Sequence, residues 1–384
     1  MKKLLLLLSF FFLLFCLSKP SLAQNACTLR ISLLTCAAGD ELYSTFGHTA
    51  VRVSDTASGI DYVYNYGTFE FGPDFYTKFI RGKLLYFLSV ENFSDFLYEY
   101  RMESRSVQEQ VLNLDCAEKQ KLLTALQTNA QPQNRYYRYD FLFDNCTTRA
   151  KDIIAQNTAA PVVYQNILPQ HKLTFRDLIH QSLDAGHQYW SKLGIDMLLG
   201  AKIDKQVTNE QAMFLPHYLL KGLDSAHKGR QPLVAQKQTI LQIPSPLNKV
   251  SIFQPAVLFA LLLLLVVAAA TFQWRWSNGF LRVFDFLFFF LLGIAGISML
   301  FMWFGTDHTV CSTNYNLAWA LPTNLVAAFF IGSEKSWVRN YFAIVFWITL
   351  LLLAAWFFLP QQMNEALLPV VAMLAYRSYS LAKK

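Results

Sequence analysis

The sequence predicts two parts, an α+β domain outside the cytoplasm and an all-α membrane domain with five helices. Strand and helix patterns alternate between residues 24 and about 170, which is typical of an α+β fold. Long apolar runs occupy most of the chain after residue 250. Over all 384 residues, 54% are hydrophobic and 15% are charged, which is too apolar for a wholly water-soluble protein.

The first 23 residues have the pattern of a secretory signal peptide. "MKKLLLLLSFFFLLFCLSKPSLA" has a basic start, an apolar stretch and small residues at Ser21 and Ala23. These features favour cleavage after Ala23 and a mature protein that begins at Gln24 outside the cytoplasm. The alternative is a signal anchor that is retained.

Residues 24–230 are predicted to form the soluble domain, with a core at 24–170 and a helical extension at 171–230. Asp115 with Glu118 marks a capped helix start, Thr174 caps another, and Pro216 interrupts a third. A polar linker is expected at 231–252. The predicted helices of the core are "FSDFLYEYRM" and "DCAEKQKLLTALQTN". The predicted strands are "LRISLLT", "HTAVRVS", "DYVYNYG", "KLLYFLSV", "SVQEQVLNL" and "RYYRYDFLF".

Five apolar segments are predicted to cross a membrane. The first four have the roughly 17–25 residues that a spanning helix needs, and the fifth is shorter and more polar. They lie at about 253–274, 279–304, 316–332, 340–360 and 365–381.

The charges of the connecting loops predict the orientation of this membrane domain, at 253–384. "GTDHTVCSTNYN" and "PQQMNEA" carry no Lys or Arg, whereas the alternate loops and the C-terminal tail are basic. The positive-inside rule then places the soluble domain in the periplasm and the C-terminus in the cytoplasm, so the protein belongs to the inner membrane. The net charge of +7 is partly this topology-setting charge, and no basic run indicates a nucleic-acid partner.

Five cysteines remain after the signal peptide is removed: Cys27, Cys36, Cys116, Cys146 and Cys311. An odd number leaves at least one thiol unpaired. A disulfide could join Cys27 to Cys116, or Cys36 to either of them. No C-x-x-C motif supports zinc binding. Cys146 is predicted to be free.

Cys146 has the sequence context of an activated thiol. In "YDFLFDNCTTRAKDI" it follows the strong capping residues Asp144 and Asn145 and opens a segment of helical composition. The helix macrodipole lowers the pKa of a thiol in the first turn, and the free N–H groups can hold an oxyanion. The alternative is a small buried cysteine with a structural role.

His48 is the candidate base for this thiol. It follows Gly47 in "YSTFGHTAVRV" and begins a predicted strand. Papain-like enzymes pair a cysteine at a helix start with a histidine on a strand, and there the cysteine comes first in the chain. Here the histidine comes first. The alternative is a structural histidine.

The reversed order and the surrounding motifs resemble the circularly permuted NlpC/P60-like thiol enzymes, which include the lecithin:retinol acyltransferase type. The whole chain is more similar still to the Bacteroides-type lipoprotein N-acyltransferase family. That resemblance rests on "FGHTAVRV", "NYGTFEF", "YDFLFDNCTTR", "WSKLGIDMLLGAKID" and "TDHTVCSTNYNLAWALPTN". It implies a permuted papain-like periplasmic domain in which Cys146 is the nucleophile and His48 the base.

The resemblance also implies the reaction and its partners. A phospholipid would donate an acyl chain, through a thioester on Cys146, to the N-terminal amine of a diacylglyceryl-cysteine lipoprotein in the membrane. No metal or organic cofactor is implied. The alternatives are a cysteine amidase or peptidase of the NlpC/P60 type, a lipid-ester hydrolase, and a non-enzymatic membrane sensor.

Further residues complete the predicted site. Asn65 would orient the imidazole, although it is as well explained as a turn residue. Asn145 could support an oxyanion or only cap its helix, and Tyr43 could line the site or only pack. The outer loop after the second span is rich in polar groups that could contact a lipid or the acceptor, or could form only a solvated interfacial loop. They are Asp307, His308, Asn314 and Asn316.

Overall fold

The structure is a computed structural model that describes residues 27–169, 172–244, 253–272 and 275–383. The predicted signal peptide and the last part of the predicted linker lie outside the described residues.

Seven antiparallel strands form the main sheet of the soluble domain, in the order β10-β5-β1-β2-β3-β4-β6. Its strands are β1 Leu29–Cys36, β2 His48–Asp55, β3 Ile60–Thr68, β4 Leu85–Asn92, β5 Val107–Leu112, β6 Tyr136–Arg138 and β10 Val234–Leu241. A small second sheet contains β7 Val162–Val163, β8 His227–Lys228 and β9 Gln231–Pro232.

In the described part of the soluble domain, eight α-helices accompany the sheets. They are α1 Phe75–Ile80, α2 Phe93–Met102, α3 Cys116–Asn129, α4 Cys146–Gln156, α5 Phe175–Ala185, α6 Tyr189–Leu198, α7 Asn209–Ala212 and α8 Pro216–Ser225. Side chains alternate across a strand, so β1 contributes to two cores. Ile31 and Leu33 pack with residues of α3, α4 and α8, whereas Leu34 and Cys36 pack with α2. Helices therefore cover both faces of the sheet.

Most of the predicted elements of the core are confirmed. Asp115 and Glu118 form the predicted capping box, Thr174 caps α5, and Pro216 is the first residue of α8. "RYYRYDFLF" forms a strand only at Tyr136–Arg138 before the chain turns away. The predicted linker is wrong over Val234–Leu241, because these residues pair with β5 at the edge of the main sheet.

A disulfide joins Cys27 to Cys116 and ties the start of β1 to the start of α3. It is one of the pairings that the sequence left open. Cys146 is a free, buried thiol, as predicted.

The membrane domain differs from the prediction of five continuous spanning helices. Within the described residues, three helices are long and apolar enough to cross a membrane: Pro255–Phe272, Ser277–Phe304 and Ser336–Phe358. Its helices are α9 Pro255–Phe272, α10 Ser277–Phe304, α11 Asn324–Ala328, α12 Ser336–Ala355 and α13 Leu368–Ala382. The third predicted segment contains a 3-10 turn at Tyr315–Ala318 and the short α11, and the fifth forms the 15-residue α13.

The third segment is irregular because it packs closely against the small residues of α10. A side chain at Gly293 or Gly296 would collide with the backbone of Leu325 or Ala320. Pro322 lies between these contacts and has no N–H for a continuous helix. Glycine allows such close approach between membrane segments, so hydropathy locates this segment without specifying a regular helix.

Two charged side chains join α10 to α13 inside the membrane domain. Arg377 donates from Nε and Nη2 to the two carboxylate oxygens of Asp285, each at 2.7 Å. Both side chains are buried, with 3% and 0% exposed. A bidentate pair of this kind satisfies two charges that would otherwise be costly in an apolar environment.

We expect Arg377→Met to destabilise the membrane domain by about 3–5 kcal/mol, because it leaves the Asp285 carboxylate buried without a partner. Thermal unfolding of the full chain in detergent measures the loss. Adding Asp285→Leu should restore much of the stability. Lys383→Met is the matched control, because Lys383 is an exposed basic residue directly after the same helix. Equal stability of Arg377→Met and wild type would contradict this account.

Candidate active site

Cys146 is the first residue of α4, and its position is determined by the cap before it. Asn145 Oδ1 accepts hydrogen bonds from the backbone N–H groups of Thr147 and Thr148, at 2.8 and 2.9 Å. The Thr148 hydroxyl accepts in turn from the Asn145 N–H at 2.8 Å. This reciprocal box starts the helix at the thiol, where the Cys146 N–H has no acceptor inside the helix.

His48 is the first residue of β2, and Gly47 allows it to be there. Gly47 has a φ of +80°, and a Cβ at this position would lie 2.7 Å from the carbonyl oxygen of Cys36. Both conditions exclude an ordinary side chain. The turn therefore brings the chain into β2 with the imidazole at the end of the sheet where α4 begins.

Asn65 lies beside His48, at the irregularity where β3 departs from regular pairing with β4. Its Oδ1 is 2.5 Å from His48 Nε2. Since an amide oxygen only accepts, Nε2 carries the proton, and Nδ1 is the ring nitrogen that remains for the thiol. Gly67 in the same bulge has a φ of +90°, and a Cβ there would lie 3.4 Å from Cys146 Cβ. The bulge thus brings the backbone of β3 against the nucleophile.

The electrostatics of the site favour a thiolate. Burial by itself would raise the pKa of Cys146, but the charge of His48 and its hydrogen bond to the thiol outweigh burial. The Thr49 N–H and the Thr147 hydroxyl also stabilise the anion, and the pKa falls to about 7. For His48, burial opposes protonation, yet the Cys146 charge and the hydrogen bonds to Cys146 and Asn65 raise the pKa above its usual value. Each partner thus stabilises the charged form of the other.

Glu91 extends this arrangement and was missed in the sequence. Asn65 Nδ2 donates to Glu91 Oε1 at 3.2 Å, so Cys146, His48, Asn65 and Glu91 form a continuous series of contacts. Burial raises the pKa of Glu91, although the hydrogen bond from Asn65 opposes this. The predicted strand ends at Val90, two residues before the observed end at Asn92. A strand through Asn92 would have placed Glu91 opposite the predicted strand that holds Asn65.

Tyr137 brings a hydroxyl group close to the thiol. Its oxygen lies 4.0 Å from the position of a Cβ on Gly67, which is itself in contact with Cys146. Burial, followed by the Cys146 charge, raises the pKa of Tyr137, so its proton is retained. No acceptor for that proton occurs among the described side chains and backbone groups. The Arg149 guanidinium lies 3.5 Å over the tyrosine ring. No local sequence pattern marks this residue as part of the site.

Of the two predicted supporting residues, Asn145 has the capping role that was the alternative, and Tyr43 lies away from the site. Asn145 cannot donate to an oxyanion, because its amide hydrogens go to the carbonyls of Phe141 and Phe214, at 2.8 and 2.9 Å. Its role in the structure is the helix cap. Tyr43 is 70% exposed and is not packed in the site.

Asn314 and Asn316 join the membrane domain to the soluble domain. Asn314 donates to the Met197 carbonyl at 2.7 Å, and Asn316 donates to the Asp196 carbonyl at 2.9 Å, both at the end of α6. They are 4% and 1% exposed. These amides are therefore not available for a lipid head group, contrary to the prediction.

Asp307 and His308 contact the soluble domain at a different place, next to α1. The Asp307 N–H donates to the Arg81 carbonyl at 3.0 Å, and His308 Nε2 donates to the Phe79 carbonyl at 3.0 Å. Asp307 also forms a 3.6 Å ion pair with Arg138, and its side chain is 44% exposed. These two residues remain candidates for contact with a lipid.

The arrangement has the parts that acyl transfer through a thiol requires. Cys146 can act as a nucleophile near neutral pH, and His48 can take up and return a proton. The N–H of a helix start and the Tyr137 hydroxyl are donors that an oxyanion could use. A hydrolase of esters or amides would use the same parts, so the site chemistry alone does not select the acceptor.

Comparison with known proteins identifies both parts of the chain. Residues 22–181 match the Lnb N-terminal periplasmic domain, and residues 247–384 match the Lnb transmembrane domain. No curated protein and no solved structure matches the chain. The two matched domains indicate an inner-membrane protein with a periplasmic N-terminal domain. The chain belongs to the Lnb family, the Bacteroides-type lipoprotein N-acyltransferases.

Proposed function

We propose that this protein transfers an acyl chain from a phospholipid to the N-terminal amine of a diacylglyceryl-cysteine lipoprotein. The observation that carries the proposal is the free Cys146 thiol with a lowered pKa, hydrogen-bonded to His48, in a domain attached to the membrane. Membership of the Lnb family supports the choice of donor and acceptor. We further propose a permuted papain-like fold for the soluble domain and a cytoplasmic C-terminus.

The first step forms a thioester. His48 Nδ1 takes the thiol proton, and the Cys146 sulfur attacks the ester carbonyl of a phospholipid. The Cys146 N–H and the Tyr137 hydroxyl donate to the oxyanion of the tetrahedral intermediate. When the intermediate collapses, the bond to the lipid oxygen breaks, and the imidazolium protonates this oxygen. The products are the acyl thioester and a lysophospholipid.

The second step transfers the acyl group. The neutral amine of the lipoprotein attacks the thioester carbonyl, and His48 accepts a proton from the attacking nitrogen. Collapse breaks the C–S bond, forms the amide and returns the proton to sulfur. Asn65 keeps the imidazole oriented through both steps, because its Oδ1 holds Nε2–H.

The experiment that tests this function uses the full chain in nanodiscs with a defined phospholipid and a synthetic diacylated lipopeptide. We expect the lipopeptide to gain the mass of one acyl chain while an equal amount of lysophospholipid appears. Lysophospholipid with free fatty acid and an unchanged lipopeptide would identify a hydrolase. If neither acylated lipopeptide nor lysophospholipid formed, the result would contradict acyl transfer.

A further inference from the structure

Helix α1 and the turn before it present an aromatic surface, and no other described part of the protein packs over it. We name Phe71, Phe75, Tyr76, Phe79 and Ile80 the aromatic lip. Phe71 and Tyr76 are 75% and 72% exposed, and α1 has no buried residue at all. A contiguous exposed apolar patch is typical of an interaction site.

The aromatic lip lies at the outer end of the membrane domain. Spanning helix α10 ends at Phe304, and three residues later Asp307 donates to the Arg81 carbonyl at 3.0 Å. His308 reaches the Phe79 carbonyl at the same distance. These bonds join the C-terminal end of α1 to the loop that directly follows α10. Aromatic side chains are enriched at this depth in membrane proteins.

Exposed charges of both signs border the aromatic lip, with three basic residues on or after α1 and the acidic Glu70 and Asp74 before it. Lys78, Arg81 and Lys83 lie on or directly after α1, and all three are exposed. Lys78 has one weak ion pair, at 3.8 Å with Asp74. A short helix with aromatic residues and basic residues together is suited to the boundary between head groups and acyl chains.

A row of aromatic rings connects the lip with the nucleophile. The centroid distances are 5.6 Å from Phe75 to Phe69, 5.4 Å from Phe69 to Tyr86, and 4.3 Å from Tyr86 to Tyr139. Tyr86 and Tyr139 pack against the core cluster that contains Cys146. An acyl chain could therefore keep apolar contacts from the bilayer surface to the thiol.

We propose that the aromatic lip inserts into the outer leaflet next to α10 and passes phospholipid acyl chains along this row to Cys146. The occupant of the surface is the same bilayer that holds the membrane domain. The path of the donor rests on the proposed function, whereas insertion of the lip does not.

Insertion is tested without any enzymatic reaction. Tyr76→Cys, on a Cys146→Ser background, carries a nitroxide label in nanodiscs of phosphatidylethanolamine and phosphatidylglycerol. Tyr98→Cys is the matched control, since Tyr98 is 64% exposed on α2. We expect the label at 76 to collide more often with oxygen than with a water-soluble nickel chelate, and the label at 98 to show the reverse. Equal access of nickel to both labels would overturn the proposal.

Passage of the donor is tested by changing the lip. Phe71→Ser with Phe79→Ser should lower acylation of Cys146 by bilayer phospholipid about tenfold, because apolar contacts with the leaflet are lost. Acylation by a water-soluble short-chain ester should change by no more than about twofold. The exposed control Tyr98→Ser should affect neither. Equal losses with both donors, or no loss with phospholipid, would overturn this path. If phospholipid does not acylate Cys146 in the wild-type protein, the proposed function is wrong. The spin-label measurement still decides whether the aromatic lip inserts into the bilayer.

Discussion

Cys146→Ser is expected to lower acyl transfer at least about a thousandfold, since the change removes the only nucleophile in the proposed mechanism. Serine is nearly isosteric and can keep the contacts with His48 and Thr49. The fold should therefore survive, and thermal unfolding should show a transition close to that of wild type. The measurement is the rate of acyl gain by a diacylated lipopeptide in nanodiscs.

Cys311→Ser is the matched control for this substitution. Cys311 is also a buried free thiol, but it lies in the loop after α10, and burial raises its pKa to about 11. Its replacement should change the rate by no more than about twofold. Retention of a tenth of the wild-type rate by Cys146→Ser would contradict a nucleophilic role.

His48→Ala is expected to remove the activation of the thiol. In wild type, iodoacetamide should alkylate Cys146 with a midpoint near pH 7, because the pKa of the thiol is about 7. The reactive thiolate is present above this pH and is lost as the pH falls through it. Without the imidazole, burial becomes the main influence, and the midpoint should move above the usual thiol value of about 8.5. Acyl transfer should fall by about 10²–10⁴.

Asn65→Ala separates orientation from charge. It retains the imidazole but removes one hydrogen bond that favours its protonated form. We expect a smaller loss of rate than in His48→Ala and a lower pKa for His48. In a plot of rate against pH, the decline on the alkaline side should therefore begin at a lower pH than in wild type.

For the His48→Ala variant, an alkylation midpoint that stays near pH 7 would show that His48 does not set the pKa of Cys146.

The parts of the fold with strong local patterns could be predicted. Strands β1 and β2 combine β-branched residues with alternation, and α3 begins at a complete capping box, so each is specified by its own residues. The same holds within the candidate site. Gly47 before His48, and Asn145 before Cys146, are local signals for a tight turn and a helix start. The structure brings both positions to one end of the sheet.

The other features depend on contacts between distant residues. Glu91 and Tyr137 come to the site through strand register and a bulge, which no single segment encodes. Strand β10 is polar enough to be taken for a linker. It forms a strand because its backbone pairs with the free edge of β5. Hydropathy located the third membrane segment, but close packing on α10 determines its irregular backbone. Asn314 and Asn316 are polar because they bind carbonyl groups of α6.

Trapping the acyl group on the enzyme tests whether Cys146 carries it during transfer. The full chain in nanodiscs is incubated with a phospholipid of defined acyl chains and no acceptor. The protein is then digested, and the masses of its peptides are measured by mass spectrometry. We expect the mass of one acyl chain on the peptide that contains Cys146. The adduct should be released by neutral hydroxylamine and should be absent from Cys146→Ser. N-acylation of an added lipopeptide without any acyl adduct on Cys146, or with an adduct on another residue, would contradict the account.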